Sequence, residues 1–153
     1  MLEPNFVAAT MLRNANKFAE AYYRALQPLC LETGLPPLAV DILLFLANNP
    51  GRDTARDVAT LRGLAKSQVS QAVEHLTDQG ILRRCPDRED RRVIHLSITE
   101  KGSPLAEEAR AIQAGCGRAL TAGLTPEEMD CLRHIMEKVM ANTERLAGKE
   151  TLE

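Results

Sequence analysis

Between Thr54 and Gly102 the chain passes from a helical rhythm of apolar residues to an alternating one, and few folds accept that order. Thr54 is followed three residues later by Asp57, the spacing of a capping box with a shortened acid, so a short helix starts there. Gly63 marks a turn. From about Lys66 to Asp78, Val69, Val73 and Leu76 recur at four- and three-residue steps, which puts them on one buried helical face. Gly80 is placed to end that helix in a left-handed conformation. Ile81–Arg84 and Val93–Ile98 then read as two strands, because Val93, His95 and Ser97 alternate with Ile94, Leu96 and Ile98. The loop Cys85–Arg92 between them holds Pro86 and six consecutive charged residues, too polar for a core. Two helices in a tight turn, followed by a hairpin with an arginine-loaded tip, form a winged helix-turn-helix.

The flanks are helical. Phe6, Met11, Ala15, Phe18, Tyr22 and Leu26 approximate one apolar face of a first helix over 5–29, with Pro28 near its end. A second helix over 37–48 is apolar almost all round and therefore buried on several sides. Helices over about 103–122 and 126–147 close the chain. The last of these starts with Thr125 as N-cap, Pro126 in the first turn and Glu128 completing a capping box. The fold class expected is mainly α with a small β-hairpin wing, in six helices. Three regions are expected: a dimerisation helix over 1–34, the winged motif over 35–102, and C-terminal dimerisation helices over 103–153. The ends carry more apolar helix than the centre can cover, and a second copy is the economical cover.

Composition narrows the function classes. The 153 residues suit one domain, 44% hydrophobic content is enough for a core, and 3% aromatic content with no Trp argues against stacking platforms for single strands. No apolar run reaches the length of a membrane span, and the N-terminus lacks the pattern of a signal peptide, so a cytoplasmic protein with no membrane partner is expected. The net charge of −2 hides a split. Arg52–Arg92 holds nine Lys/Arg against seven Asp/Glu, while the remainder is acidic. A local positive patch serves phosphate contacts, and acidic flanks discourage indiscriminate adhesion. No Gly-rich phosphate loop, nucleophile elbow or His-Glu-x-x-His motif occurs, so no enzyme and no cofactor are expected.

The second helix of such a motif enters the major groove of double-stranded DNA. Lys66, Ser67, Gln68, Ser70, Gln71 and His75 lie on its outward or flanking faces. Gln can pair with adenine, Ser can bond to base or phosphate, and Lys66 can hold a phosphate at the positive end of the helix dipole. Arg88, Arg91 and Arg92 suit a narrow minor groove, with Asp87, Glu89 and Asp90 expected to brace them.

Gly80-Ile-Leu-Arg-Arg, Asp90-Arg91-Arg92 and Leu96-Ser-Ile-Thr-Glu-Lys-Gly, together with the helix order, resemble the MarR family over nearly the whole chain. The resemblance implies a homodimeric transcription regulator, usually a repressor, on a palindromic operator. It also implies release by a small phenolic or hydrophobic effector, in a pocket to which Tyr22, Tyr23, Leu26 and Leu43 are assigned. Gln68, Ser70 and Gln71 fall at contacting positions of the recognition helix, Asp90 matches the wing aspartate that braces an arginine, and Arg91 and Arg92 match the minor-groove pair. The chain departs from the pattern at Ala65, where many members place Ser, and at Gln71 and His75, where many are basic. Weaker phosphate anchoring by the helix, or a different base preference, follows as an expectation.

Two alternatives accompany this reading. Thiol oxidation would act through Cys30, near the first helix's end, or Cys85, between Arg84 and Arg88, while Cys116 and Cys131 read as core. A winged helix that binds protein instead of DNA is the other. No metal site is expected; His134 and Glu137 are the one ligand-like pair on a helix and read as a solvated flank.

Overall fold

The second helix, α2 (Pro37–Asn48), is the axis of the core: every residue from Ala39 to Leu46 is buried. It packs against α1 (Pro4–Thr33), α3 (Ala55–Arg62), α4 (Lys66–Asp78) and the second strand of a hairpin, β1 (Leu82–Pro86) and β2 (Ile94–Ile98). Helices α5 (Ser103–Leu120) and α6 (Pro126–Ala147) complete the chain. This computed structural model describes residues 4–148. It divides into two units, Met1–Cys116 and Gly117–Glu153, with the division inside α5.

In the first unit α1 runs to Thr33, past the end expected at residue 29, and Pro28 lies inside it. Proline withholds one helical hydrogen bond. The helix continues because its last turns are held by packing: Leu26, Leu29 and Cys30 are buried in the core. Its first half is different, with Phe6, Met11 and Leu12 exposed.

The short α3 has the full capping box read from the sequence. Thr54 Oγ1 accepts from the Asp57 amide at 3.1 Å, and Asp57 Oδ2 accepts from the Thr54 amide at 3.2 Å. Left-handed Gly63 (φ 63°) closes α3, and left-handed Gly80 (φ 70°) follows α4. Val69, Ala72, Val73 and Leu76 carry α4 into the core. The two strands are antiparallel, in the register Leu82↔Ile98, Arg84↔Leu96 and Cys85↔His95. Residues 85 and 86 therefore belong to β1 and not to the wing loop. Pro86 sits at the strand's end, where its missing N–H is tolerated. A bridge from Thr54 to His95 adds a short third segment to the sheet.

Gly102 joins the hairpin to α5. A methyl group there would fall inside the envelope of the Ile81 carbonyl oxygen and lie 3.0 and 3.1 Å from the Cγ2 atoms of Ile81 and Ile98. Ala106 and Ala109 of α5 then enter the core.

In the second unit, α6 starts as expected: Thr125 Oγ1 accepts from the Glu128 amide, and Glu128 accepts from the Thr125 amide at 2.8 Å. Its apolar face is largely uncovered, with Met129, Ile135, Met136 and Met140 exposed. Cys131 is exposed too, against its reading as core. No single helix among the described residues is long and apolar enough to cross a membrane.

Candidate nucleic-acid interface

The outer face of α4 is built by what its inner face buries. With Val69, Ala72, Val73 and Leu76 fixed inward, Lys66, Ser67, Gln68, Ser70 and Gln71 are all exposed. Ser67, Ser70 and Gln71 share one side at three- and four-residue steps. Glu74 continues that side and is exposed, a position the sequence reading did not single out. Ala65 at the N-cap has no side-chain acceptor, so only half of a capping box forms: Gln68 Oε1 accepts from the Ala65 amide at 3.2 Å. Gln68 thus serves its own helix while its amide N–H₂ stays available to an acceptor outside. His75 is half-buried, and its Nε2 lies 3.0 Å from Gln79 Nε2, a contact within the last turn of the helix.

The wing is built by carboxylates. Asp87 Oδ1 accepts from the amides of Glu89 and Asp90, at 2.8 and 2.9 Å, which folds the loop. Asp90 Oδ1 accepts from the Arg92 amide and from Arg92 Nε, both at 3.0 Å, and Oδ2 accepts from Nη2 at 3.2 Å. This forked pair fixes the direction of a guanidinium that is still 91% exposed. It also holds the Asp90 carboxyl below the usual range, chiefly through the Arg92 side chain. The expected bracing thus falls to Asp90. Asp87 folds the loop instead, and Glu89 enters it through its backbone. Arg88 and Arg91 are exposed and, among the described residues, have no carboxylate partner.

Asp87 also reaches inward. His95 Nε2 lies 3.1 Å from Asp87 Oδ2, and His95 Nδ1 lies 2.7 Å from Asp53 Oδ1. Sequence reading missed this link. Its one local signal is a histidine on the polar side of an alternating strand.

A cavity of about 330 Å³ opens in the first unit, beside this motif. Tyr22 and Tyr23 line it with Phe18, Phe45, Asn48 and Arg62. Leu26 and Leu43, assigned to a pocket from the sequence, are wholly buried in the core and do not line it. Asp41, the lone charge in α2, is buried and ion-paired with Arg62 from the last turn of α3. Gln113 Nε2 donates to Tyr22 Oη at 3.3 Å. Burial, with Asp41 nearby, pushes the Tyr22 hydroxyl up to about 12, so it stays a donor.

The cysteines are less suggestive than their sequence neighbours. Cys30 is buried and desolvation pushes its thiol up, the opposite of activation. Cys85 is half-buried on β1, opposite His95. Of the His134/Glu137 pair, both in the second unit, Glu137 lies 3.8 Å from Arg133 and His134 is exposed.

The architecture is a winged helix-turn-helix, with a recognition helix free on its outer face and a cationic hairpin beside it. Residues 33–93 match the MarR family, and the chain is similar to curated transcriptional regulators, among them the HTH-type regulator PetP of Rhodobacter capsulatus at 28% identity. Its relatives include the transcriptional repressor MdtR of Bacillus subtilis, 28% identical, with 78% of this chain and 79% of MdtR covered. Against several other curated relatives the match spans about half their length, 48–57%. Among solved structures, a MarR family regulator from Listeria monocytogenes complexed with 26mer DNA shares the fold. It is 19% identical, with 93% of this chain and 95% of that chain covered and a TM-score of 0.77. CouR from Rhodococcus jostii bound to p-coumaroyl-CoA shares it too, at 22% identity, 96% and 95% coverage and a TM-score of 0.71. These relatives and neighbours are regulators, not enzymes.

Proposed function

We propose that the protein is a cytoplasmic homodimeric repressor that binds a palindromic double-stranded operator. The observation that carries this reading is the pairing of two free surfaces on one rigid motif: the exposed Ser67, Ser70 and Gln71 face of α4, and the Asp90-oriented Arg92 with Arg91 at the wing. In this reading α4 enters the major groove and the wing arginines follow the adjacent minor groove. Lys66 and Gln68 meet phosphate or base at the start of α4, His75 lies toward its far end, and Arg88 adds phosphate contacts. The Listeria neighbour's complex with DNA supports the use of this fold on a duplex. The exposed apolar residues of α1, Phe6, Met11 and Leu12, support a second copy as their cover, and the α6 face supports the same. The dimerisation regions are then 1–34 and 103–153, flanking the DNA-binding region 35–102. Half-sites lie about one helical turn apart.

Release by an effector fits the cavity at Tyr22 and Tyr23. Aromatic walls, a guanidinium and a hydroxyl donor suit a phenolic or other aromatic acid of modest size. Selection of bound fragments from the source genome, followed by fluorescence anisotropy and sedimentation, tests the reading. A dimer that prefers a two-fold-symmetric site supports it. A monomer, or a protein with equal affinity for every duplex, contradicts it. A thermal-shift screen of aromatic acids, read alongside operator release, tests the effector.

A further inference from the structure

His95 stands between two carboxylates that approach it from opposite sides: Asp53, from the turn that caps α3, and Asp87, from the wing loop. Carboxylates accept and do not donate, whereas a neutral imidazole has one N–H and one lone pair. A neutral ring can therefore bond to one aspartate while turning a lone pair on the other. Only the imidazolium satisfies both. The opposed ring nitrogens also keep the two carboxylates apart, so the three side chains cannot converge on a metal ion. We propose that His95 is the positioning residue of the wing: as an imidazolium it clamps the wing loop to the start of α3, and operator binding weakens as that proton is lost.

The clamp lies in a continuous chain of bonds. Thr54, beside Asp53, caps α3, and the Asp53 carbonyl accepts from the Leu96 amide at 2.7 Å. On the other side, Asp87 Oδ1 folds the loop that presents Asp90, and Asp90 holds Arg92. His95 is the side-chain link between these halves. From β1, Cys85 stands opposite, and Arg83 lies two residues along the same face. The first turn of α3 brings Arg56, and Asp57, which is occupied by Thr54. The only charge in α2, Asp41, belongs to Arg62.

The two contacts, Asp53 first and Asp87 second, raise the ring above its ordinary 6.5 against a smaller opposing desolvation. A raised histidine gives a contribution that is complete below 6.5 and lost as pH rises through the raised value. The clamp is thus closed in mild acid and opens toward alkaline pH.

This inference rests on the DNA-binding reading, and the test separates the two. The probe is a labelled duplex selected by the protein from a random-sequence pool, titrated by anisotropy at constant ionic strength from about pH 6 to about pH 8.5. The wild-type affinity is expected to fall by about three- to tenfold, the worth of one hydrogen bond, beyond any drift in His95→Gln, which stays weak throughout. In Asp87→Asn the oxygen can still accept the loop amides while the new amide N–H₂ donates to the neutral ring. That variant is expected to lose the pH dependence and hold its affinity, an outcome that a purely structural role for Asp87 does not produce. Matching pH profiles in wild type and both variants overturn the proposal. NMR of the duplex-free protein decides it even if no duplex binds: the His95 ring and the amides of residues 87–92 are expected to titrate together. Wing amides that ignore the His95 titration overturn the clamp, whatever becomes of the DNA reading.

Discussion

The recognition helix and the wing sit side by side and are held by opposite kinds of force. Helix α4 is fixed by burial: Leu76 is wholly inaccessible, Val69 and Val73 nearly so, and no residue of its outer face is needed to keep it in place except Gln68 at the cap. The wing loop buries almost nothing. Its shape is set by Asp87 and Asp90 accepting from backbone amides and from Arg92, and by His95 beneath. Apolar burial is indifferent to salt and pH near neutrality, whereas exposed charge-assisted bonds respond to both. The helix is therefore free to vary its reading face without loss of fold. The wing holds a shape that depends on conditions.

Removing a buried leucine attacks the first half of that contrast and has the largest expected effect. Leu76→Ala should destabilise the fold by about 2–5 kcal/mol, read by urea unfolding. A loss near zero would mean that burial does not hold α4. Arg92→Ala should leave the unfolding curve in place and weaken operator binding by at least about tenfold, with a salt slope shallower by about 1. Unchanged anisotropy at fixed salt would remove the wing from the interface. Asp90→Asn keeps a loop acceptor but weakens the fork to Arg92. A several-fold loss of affinity, growing as salt is raised, is expected with thermal stability intact. If affinity stays level with wild type, Arg92 needs no brace. The smallest effect belongs to Ala65→Ser, which supplies the absent N-cap acceptor. Stability should rise by about 0.5–1 kcal/mol, and a melting temperature that does not move would show Gln68 to be a sufficient cap.

Local signals account for what the sequence made visible. The limits of α4 follow from the Val69, Val73, Leu76 spacing and from Gly80, and α3 from the Thr54/Asp57 box. Most of the misreadings involve partners distant along the chain. Cys85 and Pro86 have loop composition, yet pairing with His95 and Ile94 extends β1 through them. Pro28 is a stop signal that the burial of Leu29 and Cys30 overrides. Tyr22 and Leu26 lie one turn apart on α1, and only the packing of α2 decides that the first lines a cavity and the second is core. Asp41, the one charge in α2, is answered by Arg62 of α3, 21 residues away. His95 meets one aspartate 42 residues away and another 8 away, a convergence that no period or motif announces.

Gly102 gives the motif a mechanical property. The root of the hairpin and the first turn of α5 meet there with no room for a methyl group. A joint without free volume cannot absorb displacement by local repacking; it passes the displacement on. Gln113, three turns along α5, touches Tyr22 at the cavity wall. The cavity wall and the root of the hairpin are thus joined through a single helix, α5, from Gln113 back to Gly102.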